Sequence, residues 1–178
     1  MIRELQFKML CHRHADEVFR YARSMLGSRA EAEDAVQEVL LRLWRNLSEV
    51  PLLKARNWVL RTTRNYCLDQ IRRRANQFTP LFVSNEILEQ YSDELTKNPD
   101  AVVDCSDLEK SITRALLQLP EKLRSVFVLY EINGLRYHEI AQALDLPINT
   151  VKVYLSRARK KLQQLLTKEH LWISTCKT

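Results

Sequence analysis

Between Asn149 and Lys161 the chain carries five Lys or Arg residues and no acid. In the stretch "DLPINTVKVYLSRARKKLQQLL", read as a helix, Val151, Leu155, Ala158, Leu162 and Leu165 fall on one stripe at spacings of three and four, the pattern of a face turned to a core. The opposite stripe holds Asn149, Lys152, Val153, Ser156, Arg157 and Lys160, with Arg159 and Lys161 beside it. Such a face suits a polyanion, because cations neutralise phosphates and those near a helix start can reach base edges in a major groove. A second basic stretch is "LLKARNWVLRTTRNYCLDQIRRRANQ". Here Trp58, Cys67, Leu68 and Ile71 can face inward while Lys54, Arg56, Arg61, Arg64, Arg72, Arg73 and Arg74 make the remainder basic. Rings interleaved with cations suit a separated nucleic-acid strand, the rings stacking bases and the charges meeting phosphates. Trp58 reads as core and the arginines as functional.

Other chemistries find little footing. The run "CHRH" at Cys11 to His14 holds metal-type ligands, but neighbours on a helix point apart and no second pair is evident, so no metal site is expected. There is no glycine-rich phosphate loop and no nucleophile beside a sequence-evident base; no catalytic residue and no cofactor are expected. An enzyme acting on nucleic acid would need clustered carboxylates for metal ions, whereas the acids here lie mainly in the middle of the chain or at the start of the second helix. No apolar run approaches a membrane span, and "MIRELQFKML" lacks a signal core, so a cytoplasmic protein without membrane insertion is expected. Cys11, Cys67, Cys105 and Cys176 show no paired spacing and read as reduced thiols.

The elements that must carry these surfaces are helices. The 178 residues include only two glycines, Gly27 and Gly134, and no sustained alternation of apolar and polar residues, which predicts an all-α fold. Net charge is +6 over residues 1–80, −5 over 81–114 and +5 over 115–178. The pattern predicts two small helical domains, 1–77 and 106–178, joined by an acidic linker over 78–105 that is either a tether or an acidic strand competing for a basic channel. A first helix from Arg3 to Leu26 buries Leu10, Val18, Ala22 and Met25 and ends at Gly27. A second opens at Ser28, which with Glu31 forms a capping-box pattern, and buries Val36, Val39, Leu40, Leu43 and Leu47. Its other stripe, Asp34, Gln37, Glu38, Leu41 and Arg45, is a protein-docking surface or a solvated face with one leucine. The third helix follows Pro51. In the second domain, helices are expected over Ser106–Leu119 and from Pro120 to Gly134, followed by a helix-turn-helix. There Ala141 permits the close crossing, the turn lies at Asp145 to Pro147, and Ile140, Leu144, Val151 and Leu155 form the shared core. The terminal Leu171, Trp172 and Ile173 are expected to fold back on this domain.

Three blocks, "SRAEAEDAVQEVLLRLWRN", "NWVLRTTRNYCLDQIRRR" and "LQLPEKLRSVFVLYEINGLRYHEIAQALDLPINTVKVYLSRARKKL", stand in an order and separation that resembles bacterial sigma factors of the extracytoplasmic-function class. The resemblance implies a protein that joins core RNA polymerase, recognises and opens promoter DNA, and is controlled by an anti-sigma factor. It implies that Asp34, Gln37, Glu38 and Leu41 meet the polymerase. It implies that the loop Ser48 to Lys54 and the start of helix three read the minus-ten element on the melted strand, with Asn57, Arg61 and Asn65 as readers and Arg72, Arg73 and Arg74 on phosphates. It likewise gives Asn149, Lys152, Val153, Ser156, Arg157, Arg159, Lys160 and Lys161 to the minus-thirty-five duplex. Two departures stand out. Asp145 replaces the usual turn glycine, a change that a left-handed aspartate tolerates. Asn149, Val153 and Tyr154 replace the usual Gly, Ser and Arg, so the minus-thirty-five sequence cannot be copied from relatives; Tyr154 is left at the core edge or on a phosphate.

Overall fold

A computed structural model describes residues 2–78 and 107–175, with side chains over 3–76 and 110–167. Among the described residues every regular element is helical: α1 (Ile2–Leu26), α2 (Arg29–Arg45), a 3₁₀ turn (Leu52–Lys54), α3 (Ala55–Phe78), α4 (Asp107–Leu117), α5 (Glu121–Phe127), a π turn (Val128–Ile132), α6 (Tyr137–Leu144) and α7 (Ile148–Thr175). The linker over 78–105 lies almost wholly outside the described residues, as do the side chains of Leu171, Trp172 and Ile173.

The helix boundaries follow from local chemistry. α1 stops where Gly27 takes φ 75, a left-handed value that only glycine holds without strain, and Arg23 donates to the Gly27 carbonyl. Ser28 then caps α2, its hydroxyl accepting from the Glu31 amide at 3.4 Å. α1, α2 and α3 enclose a core of Leu10, Val18, Val39, Leu43, Leu47, Val50, Ala55 and Val59. Trp58 and Trp44 pack on it partly buried, so Trp58 stands at the edge of the core that the sequence assigned it to. In the second half, Ala115, Leu116, Leu119, Ala158 and Leu162 join α4 to α7.

The helix expected to run from Pro120 to Gly134 changes character midway. α5 passes into a π turn at Val128, where the Asn133 amide reaches back five residues to the Val128 carbonyl at 3.0 Å. The wider turn admits one extra residue and rotates the side chains that follow. α6 and α7 form the expected helix-turn-helix, and Asp145 adopts the left-handed conformation at φ 56, ψ 48.

The two halves also share a core. One cluster combines Tyr21, Ala22, Met25, Leu26, Leu60, Cys67 and Leu68 from the first half with Val126, Val128, Leu129, Leu135, Ile140, Val151 and Leu155 from the second. Sequence periodicity predicts which stripe of a helix is buried but not which partner buries it, and α1 and α3 each have a second apolar flank that α5 and α6 cover. Polar contacts are set into this junction. Tyr21 Oη and Ser125 Oγ lie 2.6 Å apart, Asn133 Nδ2 donates to the Glu17 carbonyl at 2.8 Å, and a Cβ on Gly27 would stand 2.7 Å from Leu117 Cδ1. Burial raises the Tyr21 hydroxyl well above its ordinary value and pushes the Cys67 thiol up to about 12, which makes Cys67 an unreactive packing residue.

Candidate nucleic-acid interface

α7 separates its two faces as its sequence requires. Val151, Leu155, Ala158 and Leu162 are buried, and Asn149, Lys152, Val153, Ser156, Arg157, Arg159, Lys160 and Lys161 are all exposed. The stripe is continuous and exposed. Tyr154 is partly buried against the shared core, which settles its place at the core edge. Val153, 45% exposed, presents a branched apolar group in the middle of the polar stripe. Arg159 differs from its neighbours: Nε and Nη2 hold Glu131 Oε1 at 3.0 and 2.6 Å, and the guanidinium lies over the Tyr130 ring at 5.3 Å. Tyr130 in turn stacks on Tyr137 at 5.1 Å. The hydrogen bond to Glu131, a residue of the π turn, raises the Arg159 pKa further.

α3 presents the second cationic surface, and its first turns meet α6 along an edge where Arg61 stays exposed. Asn57 Nδ2 donates to Gln142 Oε1 at 3.2 Å; Arg61 Nη2 donates to the Gln142 carbonyl at 3.2 Å and Nε to the Ala143 carbonyl at 3.4 Å. Asn65, Arg72 and Arg73 are exposed, with Arg72 3.9 Å from Asp69. Arg74 is turned inward, bonded to the Leu26 carbonyl at 3.3 Å and paired with Glu31, and burial lowers its pKa. It braces the end of α3 against the α1–α2 turn instead of standing in a row with Arg72 and Arg73. In the preceding loop Leu52 and Leu53 are 54% and 100% exposed, so that Leu53 has no internal cover at all.

On α2, Asp34 and Gln37 are exposed, while Glu38 is half-buried and accepts from Arg42 Nε at 2.7 Å. Leu41 is 50% exposed at the rim of a shallow depression of about 460 Å³ between α1 and α2, lined by Phe7, Trp44, Glu4 and Lys8. The leucine is therefore part of an apolar patch and not an isolated side chain.

Sequence reasoning counted Arg56 among the cations of the third helix without foreseeing its partners, and passed over Arg124. Arg56 joins Glu17 Oε1 (Nε 2.9 Å, Nη2 2.7 Å) to Glu139 Oε1 (Nη1 3.0 Å), while Glu17 Oε2 meets His14 Nδ1 at 3.3 Å. Arg124, 6% exposed, donates to the carbonyls of Met25, Leu117 and Leu119 at 2.8, 2.6 and 2.9 Å. A signal for Arg124 was present, since it is the one charged residue in the mainly apolar run "LRSVFVLY".

The Sigma-70 region 2 family matches residues 10–77 and the Sigma-70, region 4 family matches residues 109–162. ECF RNA polymerase sigma factor SigW of Bacillus subtilis is 30% identical over 158 residues, covering 86% of this chain and 84% of that protein. The chain belongs to the extracytoplasmic-function sigma factors. SigE of Mycolicibacterium smegmatis is 32% identical over 162 residues; the match covers 89% of this chain but only 61% of that longer sigma factor. Among solved structures, CnrH in complex with the cytosolic domain of CnrY aligns with a TM-score of 0.64 at 25% identity, over 91% of this chain and 88% of that one. The sigma factor RpoE of Bartonella quintana, in complex with the anti-sigma factor NepR, shares the fold with a TM-score of 0.69 at 24% identity, over 90% of this chain and 96% of that one. Region 2 thus coincides with the α1–α3 body and region 4 with the body that carries the helix-turn-helix.

Proposed function

We propose that this sigma factor binds core RNA polymerase, directs it to a specific promoter and helps to open the duplex, acting in the cytoplasm under the control of an anti-sigma factor. RNA synthesis belongs to the polymerase, and the chain itself works as a binding factor without catalytic residues. The observation that carries this reading is the presence in one chain of a region 2 body and a region 4 body, each with its own cationic face. A duplex-binding regulator would need only the second.

The roles divide by surface. Asp34, Gln37, Glu38 and Leu41 form the polymerase contact, where an apolar rim beside carboxylates suits a partner helix with cations at its flanks. Lys152 and Arg157 lie near the start of α7 and reach base edges of the minus-thirty-five element, with Asn149, Val153 and Ser156 beside them. Lys160 and Lys161 lie further along, where a straight helix leaves the groove floor, and hold phosphates with Arg159. Asn57, Arg61 and Asn65 read the separated minus-ten strand, and Arg72 and Arg73 meet its phosphates. Of the arginine trio at the end of α3, Arg74 contributes by bracing the helix, a role supported by its pairing with Glu31.

Transcription from a cognate promoter, with purified core polymerase and no other sigma factor, tests the proposal. Specific transcripts that require this protein are expected. Binding of duplex by the protein alone, with no transcript when core polymerase is added, would favour a free-standing regulator.

A further inference from the structure

One apolar side chain on α7 is not explained by the fold. Val151 and Leu155 are fully buried, but Val153 between them is 45% exposed and belongs to none of the three apolar clusters. The residues three and four positions away on the helix surface are Asn149, Thr150, Ser156 and Arg157, all polar. Valine is a poorer helix former than the long unbranched side chains and gains little burial here, so neither helix formation nor packing accounts for it. An isopropyl group has no donor and no acceptor, and therefore reads neither an amino nor a carbonyl edge of a base. The apolar group that a base pair presents in the major groove is the C5 methyl of thymine. Branching at Cβ leaves valine one strongly preferred rotamer in a helix, so the group is offered in a set direction with little ordering cost. Val151 and Leu155 in the core and Tyr154 at its edge set the rotation of α7 and so turn position 153 outward.

We propose that Val153 is a specificity residue: it selects one thymine of the minus-thirty-five element by packing against the C5 methyl. The idea rests on the reading of α7 as the groove helix and names a base that this helix prefers. Asn149 and Arg157 stand four residues before and after Val153, about 6 Å along the axis at roughly 1.5 Å per residue. That distance is less than two steps of about 3.4 Å along a DNA strand. The thymine therefore lies within about two pairs of the position that Arg157 reads, on the side toward Asn149. Burying one methyl group favours thymine over the same base without it by about threefold. Lysine and arginine beside Val153 bring the duplex close, and the valine adds discrimination without charge.

Core polymerase reconstituted with this protein, selecting from promoters randomised over the minus-thirty-five element, supplies the test. A thymine should be selected within about two pairs of the position that Arg157→Ala relaxes. Competition binding then compares the selected promoter with one carrying deoxyuridine in place of that thymine, a change that deletes the methyl group and keeps the pairing and the O4 acceptor. The parent should bind the deoxyuridine promoter about threefold more weakly. Val153→Ser should bind the two promoters alike, and Val153→Ala, which keeps a smaller apolar group, should fall between. Both changes lie on the exposed face, and circular dichroism of each variant should match the parent. An equal loss with deoxyuridine in the parent and in Val153→Ser overturns the contact, because the methyl group then acts through another residue or through the shape of the DNA. A parent indifferent to the methyl group, or no thymine in that window, overturns it too. The two ideas fail differently: a clear selected sequence without the methyl effect removes the role of Val153 alone, whereas no preferred minus-thirty-five sequence removes the groove reading of α7 and this inference with it.

Discussion

Replacing Arg124 by Met removes a cation that closes the ends of two helices at once. Its guanidinium bonds the carbonyl of Met25 in the last turn of α1, that of Leu117 at the end of α4, and that of Leu119 just beyond, at 2.8, 2.6 and 2.9 Å. These are helix-end acceptors with no intrahelical donor, and they sit at the negative ends of the helix dipoles. Burial pulls the Arg124 pKa down to about 10, so the group stays charged at neutral pH. Methionine fills a similar volume and donates nothing. The Leu117 carbonyl is only part-buried and can regain water, whereas those of Met25 and Leu119 are left dry. At about 1–3 kcal/mol for each orphaned carbonyl, partly offset by relief from burying a charge, the loss should be about 3 kcal/mol. That is a large share of the roughly 5–15 kcal/mol that holds a typical domain folded. Arg124→Lys, with a point charge on a flexible stem, can serve one or two of the three carbonyls and should lose about half as much. Urea unfolding followed by circular dichroism measures both variants. A methionine variant within about 1 kcal/mol of the parent, at unchanged dependence on urea, would refute the capping role.

Leu41→Arg should weaken association with core polymerase at least tenfold while leaving helix content unchanged, since a cation would enter an apolar contact without touching the core; unchanged affinity in a pull-down titration removes α2 as the docking face. Arg157→Ala should relax selection at one position of a randomised minus-thirty-five element, at a cost of about 1–3 kcal/mol for the preferred base, while Lys161→Ala should weaken all sites alike and lower the salt slope by roughly one unit. The same altered consensus from both variants counts against this division. Burial acts to raise the Glu17 carboxyl, but its bonds to His14 and Arg56 outweigh that and leave it below the ordinary value. A depressed acid adds stability that is full above its unfolded pKa, about 4.3, and is lost as pH falls through the folded value. The melting temperature of the parent should therefore fall more steeply than that of Glu17→Gln as pH drops from about 5 to about 3, and parallel curves would exclude the effect.

Helix positions were legible because they depend on neighbours in the chain. Gly27 ends α1, Ser28 caps α2, and Asp145 turns left-handed, each a local matter of backbone sterics or a short hydrogen bond. The α7 stripes were legible for the same reason, since period and charge sort the faces before any partner is known. What could not be read was pairing at a distance. Nothing near Arg56 in sequence announces Glu139, 83 positions away, and nothing near Tyr21 announces Ser125, 104 positions away. The arginine trio shows the limit most sharply. Arg72, Arg73 and Arg74 look alike as a run, but a step of one residue along a helix turns the third toward Glu31 and into partial burial. The π turn was hidden because no residue type demands it.

Two cationic bodies would be expected to repel, and the junction shows how they are reconciled. Along the exposed edge the first half supplies donors, Arg56, Asn57 and Arg61, and the second supplies acceptors, Glu139, Gln142 and the end of α6. In the interior the direction reverses, with Arg124 and Asn133 of the second half donating to the backbone of α1. The edge is partly solvated, so salt at physiological strength, with a screening length of about 8 Å, weakens it; the buried bonds and the apolar cluster are screened far less. The apolar cluster therefore decides how strongly the halves adhere, and the edge decides which faces are covered. It covers the first turns of α3 and leaves the polar stripe of α7 exposed.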